Sequence, residues 1–210
     1  MFKIGSQLYT SEGPRAMKEI AALGAGIFLD LKYHDIPNTV AGAVLTAAGM
    51  PGVQLINVHA LGGFSMLQAA AQAVRAGQPA GAEGPRLLAV TILTSMDQKA
   101  MAQVGIPGTP ARGALRLAKL ARKAGVDGVV ASVKETRAIR KACGKDFLIV
   151  TPGVRPATGG RVDRDDQARI ATPAEAIRAG ADFVVIGRPI TGAADPRAAT
   201  QAALDEISKA

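Results

Sequence analysis

The chain has 210 residues, 48% of them apolar and 3% aromatic, so a single domain over 1–210 has enough material for an Ala, Leu, Val and Ile core. No apolar window approaches the roughly 18 residues of a membrane span; Met1-Phe2-Lys3-Ile4-Gly5 is too soon interrupted for a signal peptide, and the lone Cys143 excludes an internal disulfide framework and fits a reducing cytoplasm. The net charge of +8 raises nucleic-acid binding, but the cations are dispersed (Arg116, Lys119, Arg122, Arg137, Arg140) and stacking aromatics are scarce, which favours an anionic small molecule instead.

Short, continuous apolar runs predict strands at 1–5, 27–32, 55–60, 87–93, 128–132, 147–151 and 183–187. Continuous rather than alternating hydrophobicity marks strands buried on both faces, as in a parallel sheet. Helices are predicted between them at 14–23, 37–48, 65–76, 110–124, 134–142, 173–179 and 196–208. Many open on proline (Pro14, Pro37, Pro110, Pro173, Pro196), and several close on glycine (Gly24, Gly49, Gly77, Gly125, Gly144, Gly180), the asymmetry of successive βα units. The dinucleotide fingerprint G-x-G-x-x-G is absent after the first strand. Polar residues stand at the end of nearly every strand, as a (β/α)8 barrel requires of a site drawn from many strand ends. The fold class expected is therefore an α/β (β/α)8 TIM barrel lacking its first strand.

The chemistry concentrates in Asp30-Leu31-Lys32-Tyr33-His34-Asp35-Ile36-Pro37-Asn38-Thr39. Asp30 and Lys32 are two apart and share a strand face. Charges at the end of an apolar run are costly to desolvate unless they serve one another or a ligand. At the far end of the chain, Thr151-Pro152-Gly153-Val154-Arg155 and Gly187-Arg188-Pro189 follow the last two strands. Barrels often bind phosphate there, and Arg188 suits bidentate recognition of it. His59 ends a strand and reads first as a hydrogen-bonded structural group. Thr94 and Ser132 place hydroxyls at further strand ends, either to read a polar ligand or to cap the next helix. Two histidines and no tight carboxylate cluster argue against a metal site. The segment 155–166 mixes glycine with charge, the composition of a mobile lid.

The stretch Asp30–Thr39 resembles the Asp-x-Lys-x-x-Asp signature of orotidine 5′-phosphate decarboxylases, in its specific form extended through Ile-Pro-Asn-Thr. The resemblance continues in order through Val58-His59-Ala60 with Gly62-Gly63, Ala89–Ser95, Thr151–Pro156 and Val185–Pro189. It implies a dimeric barrel that converts orotidine 5′-monophosphate to uridine 5′-monophosphate and carbon dioxide, with neither metal nor organic cofactor. Carried over residue by residue, it implies that Lys32 delivers a proton to C6 of the pyrimidine. Asp30 would lie beside the departing carboxylate, and Lys3 would bind the ribose and hold Asp30. Asp35 and Thr39 would reach the partner subunit's site. Arg155, Gln167, Gly187 and Arg188 would bind phosphate, and Thr94 and Ser132 would contact the nucleotide. Such enzymes carry an earlier strand whose aspartate bonds the ribose, so the natural start is expected upstream of Met1. The alternatives are a metal-dependent sugar-phosphate lyase or synthase on the same barrel, whose relatives lack Ile-Pro-Asn-Thr, and a non-catalytic nucleotide-binding fragment.

Overall fold

A computed structural model describes residues 1–78, 84–156 and 171–210. It contains two compact units. The first comprises Met1–Val90 with Leu117–Val129, the second Thr91–Arg116 with Val130–Ala210.

In the first unit four strands, β1 (Phe2–Gly5), β2 (Ile27–Tyr33), β3 (Val53–His59) and β4 (Arg86–Val90), lie side by side in that order, all parallel. Parallel neighbours need crossovers, and helices supply them: α1 (Ser6–Glu12) and α2 (Pro14–Ala22), α3 (Pro37–Ala48), then α4 (Gly63–Ala76) after a single 3₁₀ turn over Ala60–Gly62. Ile4, Ile27, Leu29, Ile56, Leu87 and Leu88 from the strands are fully buried, as are Met17, Met66 and Leu67 from the helices. The unbroken apolar runs of the sequence thus correspond to strands covered on both faces.

The register between β2 and β3 is irregular at one place that matters. Leu29 pairs with Ile56 and Tyr33 with Val58, so Asp30, Leu31 and Lys32 face the single residue Asn57. This is a bulge, which bends a strand and re-aims its side chains. Lys32 at its end has φ 53, the only non-glycine residue with positive φ among the described residues. For a residue bearing a Cβ that conformation costs about 1–2 kcal/mol.

Two helices, α5 (Gln98–Gln103) and α6 (Pro110–Lys123), precede strand β5 (Gly128–Val130). The remaining elements belong to the second unit: α7 (Val133–Cys143), β6 (Leu148–Thr151), α8 (Pro173–Arg178), β7 (Phe183–Val184), α9 (Arg188–Thr191) and α10 (Pro196–Ile207). There β6 pairs parallel with β7, and Val154, Ala176 and Ala181 form a small buried cluster. The guanidinium of Arg140 on α7 ties this arrangement together. It donates to the carbonyls of Gly144, Lys145, Phe147 and Gly180 and to the Asp182 carboxylate, which also accepts the Ile149 N–H at 2.7 Å. One planar fork thereby fixes the approach to both strands, which a lysine would not reproduce.

All seven expected strands are present, each shifted by one to three residues at one or both ends. The runs at 87–93 and 183–187 are shorter as ladder strands, ending at Val90 and Val184. The helices α1, α5 and α9 were not anticipated. The stretch of the expected lid beyond residue 156, and Gln167 with it, lies outside the described residues.

Candidate active site

Three of the residues singled out by the sequence meet within the first unit. Asp30, 8% exposed at the bulge of β2, is the centre. Its Oδ1 accepts from Lys32 Nζ at 2.6 Å, and its Oδ2 faces Lys3 Nζ at 3.0 Å from the neighbouring strand β1. Gly5 pairs with Asp30 across the two strands, and a Cβ at Gly5 would stand 3.2 Å from Lys3 Nζ. The glycine therefore leaves the ammonium its place over the strand.

Asn57, which sequence reasoning gave no role, completes the cluster. Fully buried on β3, it donates from Nδ2 to Asp30 Oδ1 at 2.6 Å and accepts the backbone N–H of Lys32 at 2.8 Å. The signal was available: an amide inside the run Leu55-Ile56-Asn57-Val58 must have partners, because an unpaired buried polar group costs about 1–3 kcal/mol.

The electrostatics follow from this geometry. Burial alone would push the Asp30 carboxyl upward. The hydrogen bond from Lys32, the charges of Lys3 and Lys32, and the Asn57 amide together outweigh burial and hold it below its ordinary value. Asp30 is a carboxylate at neutral pH, gripped on both oxygens.

At the ends of β2 and β3, the rings of His34 and His59 stack with centroids 5.3 Å apart and an interplanar angle of 18°. Burial, then the nearby charges of His34 and Lys32, bring His59 down to about 4. Its Nδ1 accepts a long bond of 3.4 Å from the Leu61 N–H, the part of a neutral imidazole, as the structural reading of His59 anticipates. A consequence for stability is testable. Between 6.5 and about 4 the unfolded chain binds a proton that folded His59 refuses, so folding weakens as pH falls through that window and is untouched above it. His59→Asn keeps an acceptor but does not titrate. Its urea midpoint is expected to fall less than that of the unmodified protein between those two pH values, and parallel curves would refute the assignment.

Asp35 and Thr39 are exposed at the beginning of α3, where Asp35 Oδ1 accepts the Ile36 N–H at 2.6 Å. Among the described residues no hydrogen bond or ion pair joins either of them to Asp30. Thr94, Ser132, Arg155, Gly187 and Arg188 belong to the second unit. There Ser132 is buried and its backbone N–H donates to Glu135 Oε2 at 3.0 Å; its hydroxyl also donates to that oxygen, forming the capping box of α7. The hydroxyl is thereby engaged with the side chain of Glu135 in the first turn of α7. Gly187 caps α9, opened by Arg188, and a Cβ at Gly187 would meet no atom within 4 Å. Among the described residues no three His, Cys, Asp or Glu side chains gather as a metal-ligand set. No helix of the described chain is long and apolar enough to cross a membrane.

Parallel strands with intervening helices, carrying a buried carboxylate between two lysines at adjacent strands, define a polar-site α/β protein of the (β/α)-barrel class. The model of the orotidine 5′-phosphate decarboxylase / HUMPS family matches residues 1–203, and the chain belongs to that family. It is 58% identical over 207 residues to the orotidine 5′-phosphate decarboxylase of Trichlorobacter lovleyi, covering 99% of this chain and 84% of that one. The corresponding protein of Geobacter sulfurreducens is 54% identical with the same coverage. Among solved structures, orotidine 5′-phosphate decarboxylase from Lactobacillus acidophilus superposes with a TM-score of 0.84 at 40% identity, covering 98% of this chain and 85% of that chain. The enzyme of that name from Thermotoga maritima gives 0.67 at 25% identity, covering 99% and 84%. The fold class expected from the sequence is thus the observed one, with seven strands among the described residues.

Proposed function

We propose that this chain is a carboxy-lyase that converts orotidine 5′-monophosphate to uridine 5′-monophosphate and carbon dioxide, the final step in making that nucleotide. One observation carries the reading: the Lys3–Asp30–Lys32 array, set in the Asp30–Thr39 motif of a chain more than half identical to proteins bearing that name.

The chemistry asks for little else. As the C6 carboxylate leaves as carbon dioxide, its bonding electron pair stays on C6, a carbon without an adjacent sink. A fixed cation stabilises that charge, and the Lys32 ammonium then transfers its proton to C6, leaving an amine that water reprotonates. Asp30 anchors both ammonium groups and stands where the substrate carboxylate would meet a like charge. Lys3 holds Asp30 from the other side and is the proposed ribose contact. Arg155, Gln167, Gly187 and Arg188 are proposed for the phosphate, Thr94 and Ser132 for the nucleotide. Energy from the distant phosphate would serve to hold the reacting end in register.

Asp35 and Thr39 are proposed to complete the site of a second copy, making the working form a homodimer; their exposure at the start of α3 supports this. Residues 1–210 act as one catalytic domain in this reading, in the cytoplasm. The test is turnover of orotidine 5′-monophosphate by the purified chain, with product followed chromatographically in the presence and absence of a chelator. Chelator-insensitive formation of uridine 5′-monophosphate is expected. A folded chain without turnover refutes the reading, and turnover lost to the chelator moves the assignment to a metal-dependent lyase.

A further inference from the structure

We propose that Asn57 is a positioning residue for the decarboxylation site, one amide that sets both the backbone of Lys32 and the rotamer of Asp30. Three independent observations converge on it. The bulge places Asp30, Leu31 and Lys32 opposite Asn57 alone, so the ladder there offers the Lys32 N–H no regular carbonyl partner; the Asn57 side-chain oxygen takes that N–H at 2.8 Å. Lys32 is held at φ 53, a conformation a lysine adopts only when its surroundings over-determine it. The other end of the same amide donates to Asp30 Oδ1, the oxygen that also receives the Lys32 ammonium.

The amide orientation is dictated by these partners, since a backbone N–H needs an acceptor and a carboxylate needs a donor. Asparagine alone meets both demands at that length. Aspartate keeps the acceptor but turns a like charge on Asp30; leucine keeps the volume and loses both bonds. Strain at Lys32 and the short reach back to Asp30 are therefore coupled through a residue that touches neither substrate carbon nor phosphate in the proposed mechanism. A small displacement of a positioned group suffices to cost about 100-fold in rate. The charged groups facing Asp30 are Lys3 from β1 and Lys32 from its own strand, with the neutral amide of Asn57 from β3; His59, further along β3, feels the charge of Lys32.

This inference rests on the decarboxylase reading, so turnover by the unmodified chain is measured first; its absence would count against that reading and not against Asn57. With turnover established, Asn57→Leu is expected to lower kcat by about 10–100-fold, while KM and the dissociation constant of uridine 5′-monophosphate stay within threefold. Asn57→Asp, which retains the Lys32 acceptor, is expected to move the acid limb of kcat/KM to higher pH, as two facing carboxylates share a proton. A readout independent of catalysis is the amide exchange of Lys32 in nitrogen-15-labelled protein, expected to accelerate in Asn57→Leu and not in Asn57→Asp. Unchanged kcat in the leucine variant overturns the proposal. So does a loss that scales with the fraction of chain able to bind uridine 5′-monophosphate, because that is what a purely structural role predicts. If the leucine variant does not fold, the aspartate variant decides: an unshifted acid limb refutes the proposal.

Discussion

Lys32→Ala is expected to abolish decarboxylation, with kcat/KM lowered by at least about 10⁴-fold, the combined scale of a lost proton donor and a lost fixed charge. Uridine 5′-monophosphate should still bind, because phosphate recognition is assigned to other residues. Two companion variants separate the causes. Lys32→Arg keeps a cation for Asp30 but cannot release its proton near neutral pH, so it is expected to be nearly as inactive as the alanine form. Lys32→Gly loses the ammonium too, yet accepts φ 53 without a Cβ penalty, so it should be more stable than Lys32→Ala by about 1 kcal/mol in urea unfolding. An active arginine variant would remove Lys32 from the role of proton donor. Equal stability of the glycine and alanine variants would show that the left-handed backbone is imposed only with the lysine in place.

That left-handed lysine also marks the limit of what the sequence could disclose. The fold was legible because its signals are local: Pro37 opens α3 and Ala48 closes it at the residues expected, and the runs at Ile27 and Leu55 are short and largely apolar, as strands covered on both sides are. Helix α1 escaped because Ser6–Glu12 buries no residue and carries neither an opening proline nor an apolar stripe. Arg140 reads in the sequence as one of several dispersed cations, whereas it closes two loops; its partners are mostly carbonyls, which leave no trace in side-chain identities. The charged pair Asp30 and Lys32 was visible from spacing, and the partnership with Lys3 from the family resemblance. That Asn57 needs partners was visible in its apolar run; which partners it takes was not, because that depends on a register shift between two strands, a tertiary property that no periodicity encodes. Ser132 shows the converse, a hydroxyl at a strand end that the sequence singled out and whose bond to Glu135 only geometry could reveal.

Asp30→Asn should have the second-largest effect, and it tests whether the carboxylate does more than anchor lysines. The amide offers one oxygen where the carboxylate offers two, so Lys3 and Lys32, held on separate oxygens of Asp30, are left with a partner that carries no charge. Removing one member of a buried ion pair costs about 3–5 kcal/mol, and Asp30 is 12% exposed at its side chain. Both lysines are about a third exposed and relax into water, so a loss of about 1–3 kcal/mol is expected. The pH dependence fixes the sign. The folded carboxyl titrates below its ordinary value, so its stabilisation is present above that value and disappears as pH falls through the folded one. The stability gap between Asp30→Asn and the unmodified chain should therefore stay level while His59 titrates, then close at more acid pH. In catalysis, kcat is expected to fall about 10³-fold as the Lys32 ammonium loses its anchor. Binding separates the two possible contributions. A carboxylate held beside the substrate's own carboxylate raises the energy of the bound substrate, so replacing it should tighten orotidine 5′-monophosphate relative to uridine 5′-monophosphate, which lacks that group. Parallel changes in the two affinities would confine Asp30 to holding its lysines in place.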